Sequence, residues 1–172
     1  MAGYGHLARR FAGSLWPGGP SATQQAWVDQ QLLPGEAELW RRMSGPDRRH
    51  AAGVARDVER SLGHEASRPV LAAALLHDVG KLESGLRTYG RVIATLSAKV
   101  AGTDMAHTWR RQRGFPRRVG LYLLHPALGA DLLELAGSDP LTVAWAREHH
   151  LPEDQWTLPR HLAAALKAAD DD

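Results

Sequence analysis

The stretch VLAAALLHDVGK, Val70–Lys81, decides how this chain is read. Seven apolar residues in a row, three of them alanine, predict a buried helix that its neighbours can approach closely. The run falls far short of the roughly 20 residues that cross a bilayer. It ends on an adjacent histidine and aspartate, His77-Asp78, with Gly80 expected to terminate the helix. Polar groups at the closed end of a buried run cost about 2–7 kcal/mol unless something binds them. A metal ion is the candidate partner.

Working outward, helical signals dominate, and no alternating apolar run bounded by turn residues argues for a sheet. The expected fold class is therefore all-α. Upstream, Arg68-Pro69 opens the helix, and a longer one before it carries DRRHAAGVARDVERSLG, starting at Pro46 and ending at Gly63. In that helix His50, Val54, Asp57 and Val58 share a face or its margin, so His50 is expected to look inward. Further upstream, Ser21 or Thr23 is a cap for a helix reaching toward Leu33, Pro34-Gly35 breaks it, and a short helix covers about Glu36–Met43. Downstream helices are expected at about Gly90–Val100, Arg117–Leu124, Ala127–Ala136, Pro140–His150 and Pro159–Ala169, with Gly102–Phe115 as the longest irregular or partly helical connection. Residues 1–45 read as an N-terminal arm with helices of its own and 46–172 as the main domain.

The 172 residues are enough for one domain with a substantial core. There is no cysteine, which excludes disulfides, thiolate zinc sites and a cysteine nucleophile; any metal must be held by imidazole and carboxylate. The absence of cysteine, of a bilayer-length run and of a signal-like N-terminus sets the expectation of a cytoplasmic protein with no membrane partner. Net charge is only +2, but Arg110, Arg111, Arg113, Arg117 and Arg118 cluster without an intervening acid. Such a run is either a solvated loop or a patch facing phosphate. No P-loop, dinucleotide-binding or Gly-x-Ser-x-Gly signature occurs.

The polar residues embedded in apolar helical patterns are His50, His77-Asp78, His125, His149-His150 and Asp170. A lone histidine in such a place is more often a satisfied core residue than a ligand; this many on successive helices, near helix ends or prolines, make a set. Neutral imidazole and carboxylate suit divalent iron, manganese, zinc and similar ions, and a carboxylate such as Asp78 can bridge two of them. His149 and His150 point about 100° apart if the helix continues. Fraying before Pro152 would let both reach one site. Among the three terminal aspartates, the i, i+4, i+8 spacing of Leu162, Leu166 and Asp170 selects Asp170 and leaves His161 and Lys167 on other faces.

The order H…HD…D formed by His50, His77-Asp78 and Asp170 resembles the HD superfamily of metal-dependent phosphohydrolases, and HDVGK is similar to its HDIG variant. HPALGADLL, His125–Leu133, and EHH, Glu148–His150, resemble the extended ligand set of HD-GYP cyclic-di-GMP phosphodiesterases and of HD domains that cleave cyclic-di-AMP. The Gly-Tyr-Pro element is missing: the chain reads HHLPEDQWTLPRH there.

The resemblance implies an HD-domain-like helical bundle over 46–172 with an added N-terminal helical arm. It implies a dinuclear metal-binding site, with one ion held by His50, His77, Asp78 and Asp170 and the second by Asp78, His125, His149 and His150. Two divalent transition metals per chain, iron or manganese first, would activate a bridging hydroxide. The implied activity is that of a hydrolase, a phosphohydrolase or phosphodiesterase, on a small phosphate ester; a nucleotide or cyclic dinucleotide is favoured over a nucleic-acid strand. Asp78 and Lys81 are the catalytic candidates. Lys81, Arg110, Arg111, Arg117 and Arg118 are the candidates for substrate phosphate, although Lys81 can equally satisfy helix C-terminal carbonyls. Two alternatives stand beside this reading: an HD-type di-iron oxygenase, and a non-catalytic module that binds a nucleotide or nucleic acid.

Overall fold

A computed structural model describes residues 18–86, Gly90, Ala94 and 105–171. The described residues are helical, with no strand among them. Among the described residues, nine α-helices have both ends defined, in chain order: α1 Ala22–Gln31, α2 Pro34–Arg42, α3 Gly45–Leu62, α4 Arg68–Leu76, α5 Met105–Arg110, α6 Phe115–Leu123, α7 His125–Leu135, α8 Pro140–Glu148 and α9 Arg160–Asp171. Short 3₁₀ turns follow α3, α4 and α8, at Gly63–Glu65, Val79–Ser84 and Glu153–Gln155. No described helix is long and apolar enough to cross a membrane.

The helix starts follow local chemistry. Ser21 caps α1 by accepting from the Gln24 amide, while the Gln24 side chain accepts from the Ser21 amide, so two orphan donors are satisfied together. Ser44 accepts from the Asp47 amide at the start of α3, where Pro46 lacks the donor it would otherwise leave unpaired. That helix ends at Gly63, whose φ of 54° suits a residue without a β-carbon.

Helix α4 is the axis of the molecule: every residue from Val70 to Leu76 is buried. Helices α3 and α8 pack along it, with α1, α2 and α9 touching it too. Its alanines keep these neighbours close, and Val28, Leu39, Trp40 and Met43 from before residue 46 join the same core as Trp145, Leu133 and Leu166 from the other end of the chain. A smaller cluster of Leu86, Ala94 and Val119, flanked by Trp109, Tyr122 and Leu123, lies under the α5–α6 hairpin.

Two sequence expectations are corrected. Pro34-Gly35 does not break a helix; Leu32 and Leu33 are extended and Pro34 opens α2, its φ already helical. Gly80 does not end α4, which stops at Leu76; the chain turns at His77-Asp78 and continues as the 3₁₀ segment Val79–Ser84. Gly80 serves close approach: a β-carbon there would stand 2.0 Å from the His125 carbonyl oxygen and 2.5 Å from the Gly129 amide nitrogen. The connection before Phe115 is partly helical, as expected: it contains α5, which crosses α6 where a β-carbon on Gly120 would meet the Arg110 amide at 2.4 Å. The expected helix Gly90–Val100, apart from Gly90 and Ala94, lies outside the described residues, as do residues 1–17.

Candidate metal centre

Helix ends converge on one point. His50 comes from the second turn of α3, His77 and Asp78 from the turn after α4, His125 from the first residue of α7, His149 and His150 from the turn after α8, and Asp170 from the last turn of α9. Thus α8 stops at Glu148, short of the predicted His150, and this lets both histidines face the same region.

Three of these rings are oriented by one device. Nδ1–H of His77 donates to the Ala74 carbonyl at 2.9 Å, that of His125 to Tyr122 at 2.7 Å and that of His149 to Ala146 at 2.9 Å. Each acceptor lies three residues back, in a last helical turn whose carbonyls lack intrahelical partners. A carbonyl only accepts, so Nδ1 of each ring carries a proton, and Nε2 presents its lone pair once the ring is neutral. The same arrangement orients metal-bound histidines.

The three Nε2 atoms are buried and make no hydrogen bond. They surround Asp78. His125 Nε2 lies 3.2 Å and His149 Nε2 3.8 Å from Asp78 Oδ1, whereas His77 Nε2 lies 3.5 Å from Asp78 Oδ2 and also 3.5 Å from Asp170 Oδ1. Across the cluster His50 Nε2 meets Asp170 Oδ1 at 3.1 Å. Two separate sets could each hold an ion, with ligand atoms within 4.8 Å of one another: His50, His77 and Asp170, and His125, His149 and His150. The carboxylate of Asp78 faces both sets with different oxygens.

Electrostatics divide the histidines. Burial opposes a charge on His77, but Asp78 and Asp170 outweigh it and raise its pKa to about 10. Burial and the neighbouring His77 push His149 down to about 2, and burial with His125 pushes the rim residue His150 to about 4. Burial disfavours both carboxylates as anions, yet Lys81 and His77 hold Asp78, and His50 and His77 hold Asp170, well below the usual range. A closed set of inward imidazole nitrogens around two ionised carboxylates, with one proton to be lost from His77, is the donor set that first-row divalent ions accept. The residues fit a metal.

The remaining sequence candidates separate. Lys81 forms an ion pair with Asp78 Oδ2, and its ammonium sits 6.0 Å over the Tyr122 ring. Arg118 donates to the carbonyls of Ser84 and Gly85 and so ties α6 to the segment that follows the His-Asp pair. Arg110, Arg111 and Arg117 are exposed on the α5–α6 hairpin, as is His107. His161 is exposed and pairs with Glu65.

Two residues have roles that the sequence does not assign. The Tyr122 ring lies 5.6 Å from that of His125; its only signal is the three-residue spacing ahead of a ligand histidine. Glu148 is buried and holds Thr157, accepting from its amide at 2.7 Å and its hydroxyl at 2.6 Å. It anchors the segment after His150, which Trp156 also secures by stacking edge-on against Trp145.

No family model, curated protein or solved structure matches the chain. Any functional reading therefore rests on these residues and their geometry.

Proposed function

We propose that this chain is a metal-dependent phosphohydrolase of HD type, with His50, His77, Asp78 and Asp170 holding one divalent ion and Asp78, His125, His149 and His150 a second. The observation that carries the reading is the three buried Nε2 atoms that gather around Asp78 without a hydrogen bond. Such ions supply a nucleophile active at neutral pH and positive charge for a phosphoryl group. Asp78 joins the two ligand sets, Asp170 fixes His50 and His77, and the three carbonyl-bound rings need no reorganisation to bind. Lys81, already desolvated beside Asp78, is placed to meet a phosphate oxygen as a point charge.

A phosphate ester is favoured over an oxidisable organic substrate because a cation, Lys81, stands at the site and the exposed arginines of the α5–α6 hairpin lie on the element that carries Tyr122. The test is elemental analysis of the purified chain and of Asp78→Ala, followed by hydrolysis assays on phosphate mono- and diesters without oxygen. About two transition ions in the parent, few in the variant, and anaerobic hydrolysis dependent on Asp78 are expected. A parent that stays empty after reconstitution with iron and manganese overturns the reading; so does iron-dependent oxygen consumption without hydrolysis.

A further inference from the structure

The α5–α6 hairpin carries charge that the metal centre does not use. Arg110, Arg111, Arg113 and Arg117 are all exposed, and none makes an ion pair with a described residue. Several arginines elsewhere are matched: Arg56 with Glu59, Arg60 with Asp57, Arg68 with Glu36 and Arg147 with Glu134. No acidic residue occurs anywhere from Met105 to Ala130. Unmatched like charges held close together repel, and a polyanion relieves that repulsion. Planar guanidinium groups suit phosphate oxygens in particular.

A second feature points to the kind of polyanion. Phe115, 45% exposed, stands within the arginine run at the start of α6. Exposed aromatic rings beside a cationic track are what unpaired bases stack on. The hairpin is held firmly, since α5 and α6 touch backbone to backbone at Gly120 and Arg118 binds the Ser84 and Gly85 carbonyls. Along α6, the track leads from Phe115 to Tyr122, whose ring lies beside His125 and under Lys81. The helix rise between those two aromatics is about 10 Å. A ligand touching both must span at least that distance, which a strand of two or more nucleotides does.

We propose that the α5–α6 hairpin binds the phosphate backbone of a single-stranded nucleic acid, with Phe115 stacking on a base, and leads the strand past Tyr122 to the His-Asp centre. Binding at the hairpin is independent of the proposed hydrolysis; only the strand's destination rests on that reading.

The experiment is fluorescence anisotropy of a short labelled oligouridylate with the full chain stripped of metal by chelator. The logarithm of affinity is expected to fall with the logarithm of salt concentration with a slope near −3, from about −0.7 for each of four contacts. Arg111→Ala/Arg113→Ala should weaken binding at least tenfold and flatten the slope by about 1.4. Phe115→Ala should weaken it about tenfold with the slope unchanged, a split that a purely electrostatic surface would not show. These side chains are exposed, so far-ultraviolet circular dichroism should be unaltered. No binding at low salt, binding insensitive to the arginine changes, or equal affinity for inorganic polyphosphate or a duplex of the same length would overturn the proposal. Strand binding by a metal-loaded chain that hydrolyses neither the strand nor small esters would remove the enzymatic reading alone; hydrolysis of small esters without strand binding would remove this one alone.

Discussion

Gly80 lies so close to His125 that a β-carbon on it would stand 2.0 Å from the His125 carbonyl oxygen. Gly129 contributes to the same crossing, its own β-carbon position being 3.1 Å from the Gly80 amide. The first turn of α7 therefore rests directly on the backbone that follows Asp78. That contact brings His125 Nε2 within 3.2 Å of Asp78 Oδ1. A packing feature sets a distance in the candidate site.

Replacing Gly80 by alanine should consequently damage both stability and metal binding. Backbone atoms, not flexible side-chain ends, are in the way, so overpacking of about 1–3 kcal/mol is expected. Separation of His125 from Asp78 should lower metal content from two ions toward one. Gly53→Ala is the control: nothing lies within 4 Å of its β-carbon position in α3, and alanine there should stabilise by up to about 1 kcal/mol. Thermal unfolding and elemental analysis of the pair check the contrast; a Gly80→Ala protein that behaves like Gly53→Ala defeats it.

The Asp78–Lys81 pair gives a different prediction, because the two ends of the ion pair have unequal roles. Asp78→Asn leaves the mostly buried Lys81 ammonium without its carboxylate, which should cost the metal-free protein about 3–5 kcal/mol. Lys81→Met alone removes the charge that balances Asp78. The double variant should recover much of the stability while holding no metal. A double-mutant cycle in denaturant measures the coupling, and additivity of the two single changes would show that the pair does not interact.

How much of this was legible in the residues is clearest at the ligands themselves. His50, His77, Asp78, His125, His149, His150 and Asp170 announce themselves because each interrupts an apolar period, and helix periodicity alone selects Asp170 over its two neighbours. Gly80, Lys81 and Arg118 were identified by type but not by role: a glycine followed by lysine reads as a helix end, whereas the contacts that occupy them come from α7, from Asp78 and from Ser84. Long-range packing leaves no mark on a local pattern. The same holds for the extended Leu32-Leu33, which places the start of α2 two residues ahead of the expected position.

Metal loading should release a proton, and the donor should be His77. In the metal-free protein its pKa, raised to about 10 by Asp78 and Asp170, keeps the imidazole charged at neutral pH, while His149 and His150, at about 2 and 4, are already neutral. A ligand imidazole must be neutral. Affinity should therefore rise with pH up to about pH 10, close to tenfold per unit for the one proton displaced at His77. Conversely, the charge on His77 stabilises the metal-free fold fully below its unfolded pKa of 6.5, and this contribution is lost as pH rises through about 10. Titration calorimetry in buffers of different ionisation enthalpy counts the protons; release that persists unchanged in His77→Gln would place the donor elsewhere.

Glu148 tests the membership of the ligand set, since it directly precedes the paired histidines and a reading by proximity would include it. Its two carboxylate oxygens are instead taken by the Thr157 amide and hydroxyl, at 2.7 and 2.6 Å. In Glu148→Gln the amide oxygen can still accept from the Thr157 amide and the new NH₂ can donate to the hydroxyl, but the charge assistance is lost, a cost of about 1–2 kcal/mol. Metal content should remain that of the parent. His149→Ala should show the reverse, losing an ion from a cluster in which His149 Nε2 is buried and makes no hydrogen bond. If Glu148→Gln empties the site while His149→Ala leaves it filled, the carboxylate rather than the ring is the ligand at this helix end, and the assignment of the second ion fails.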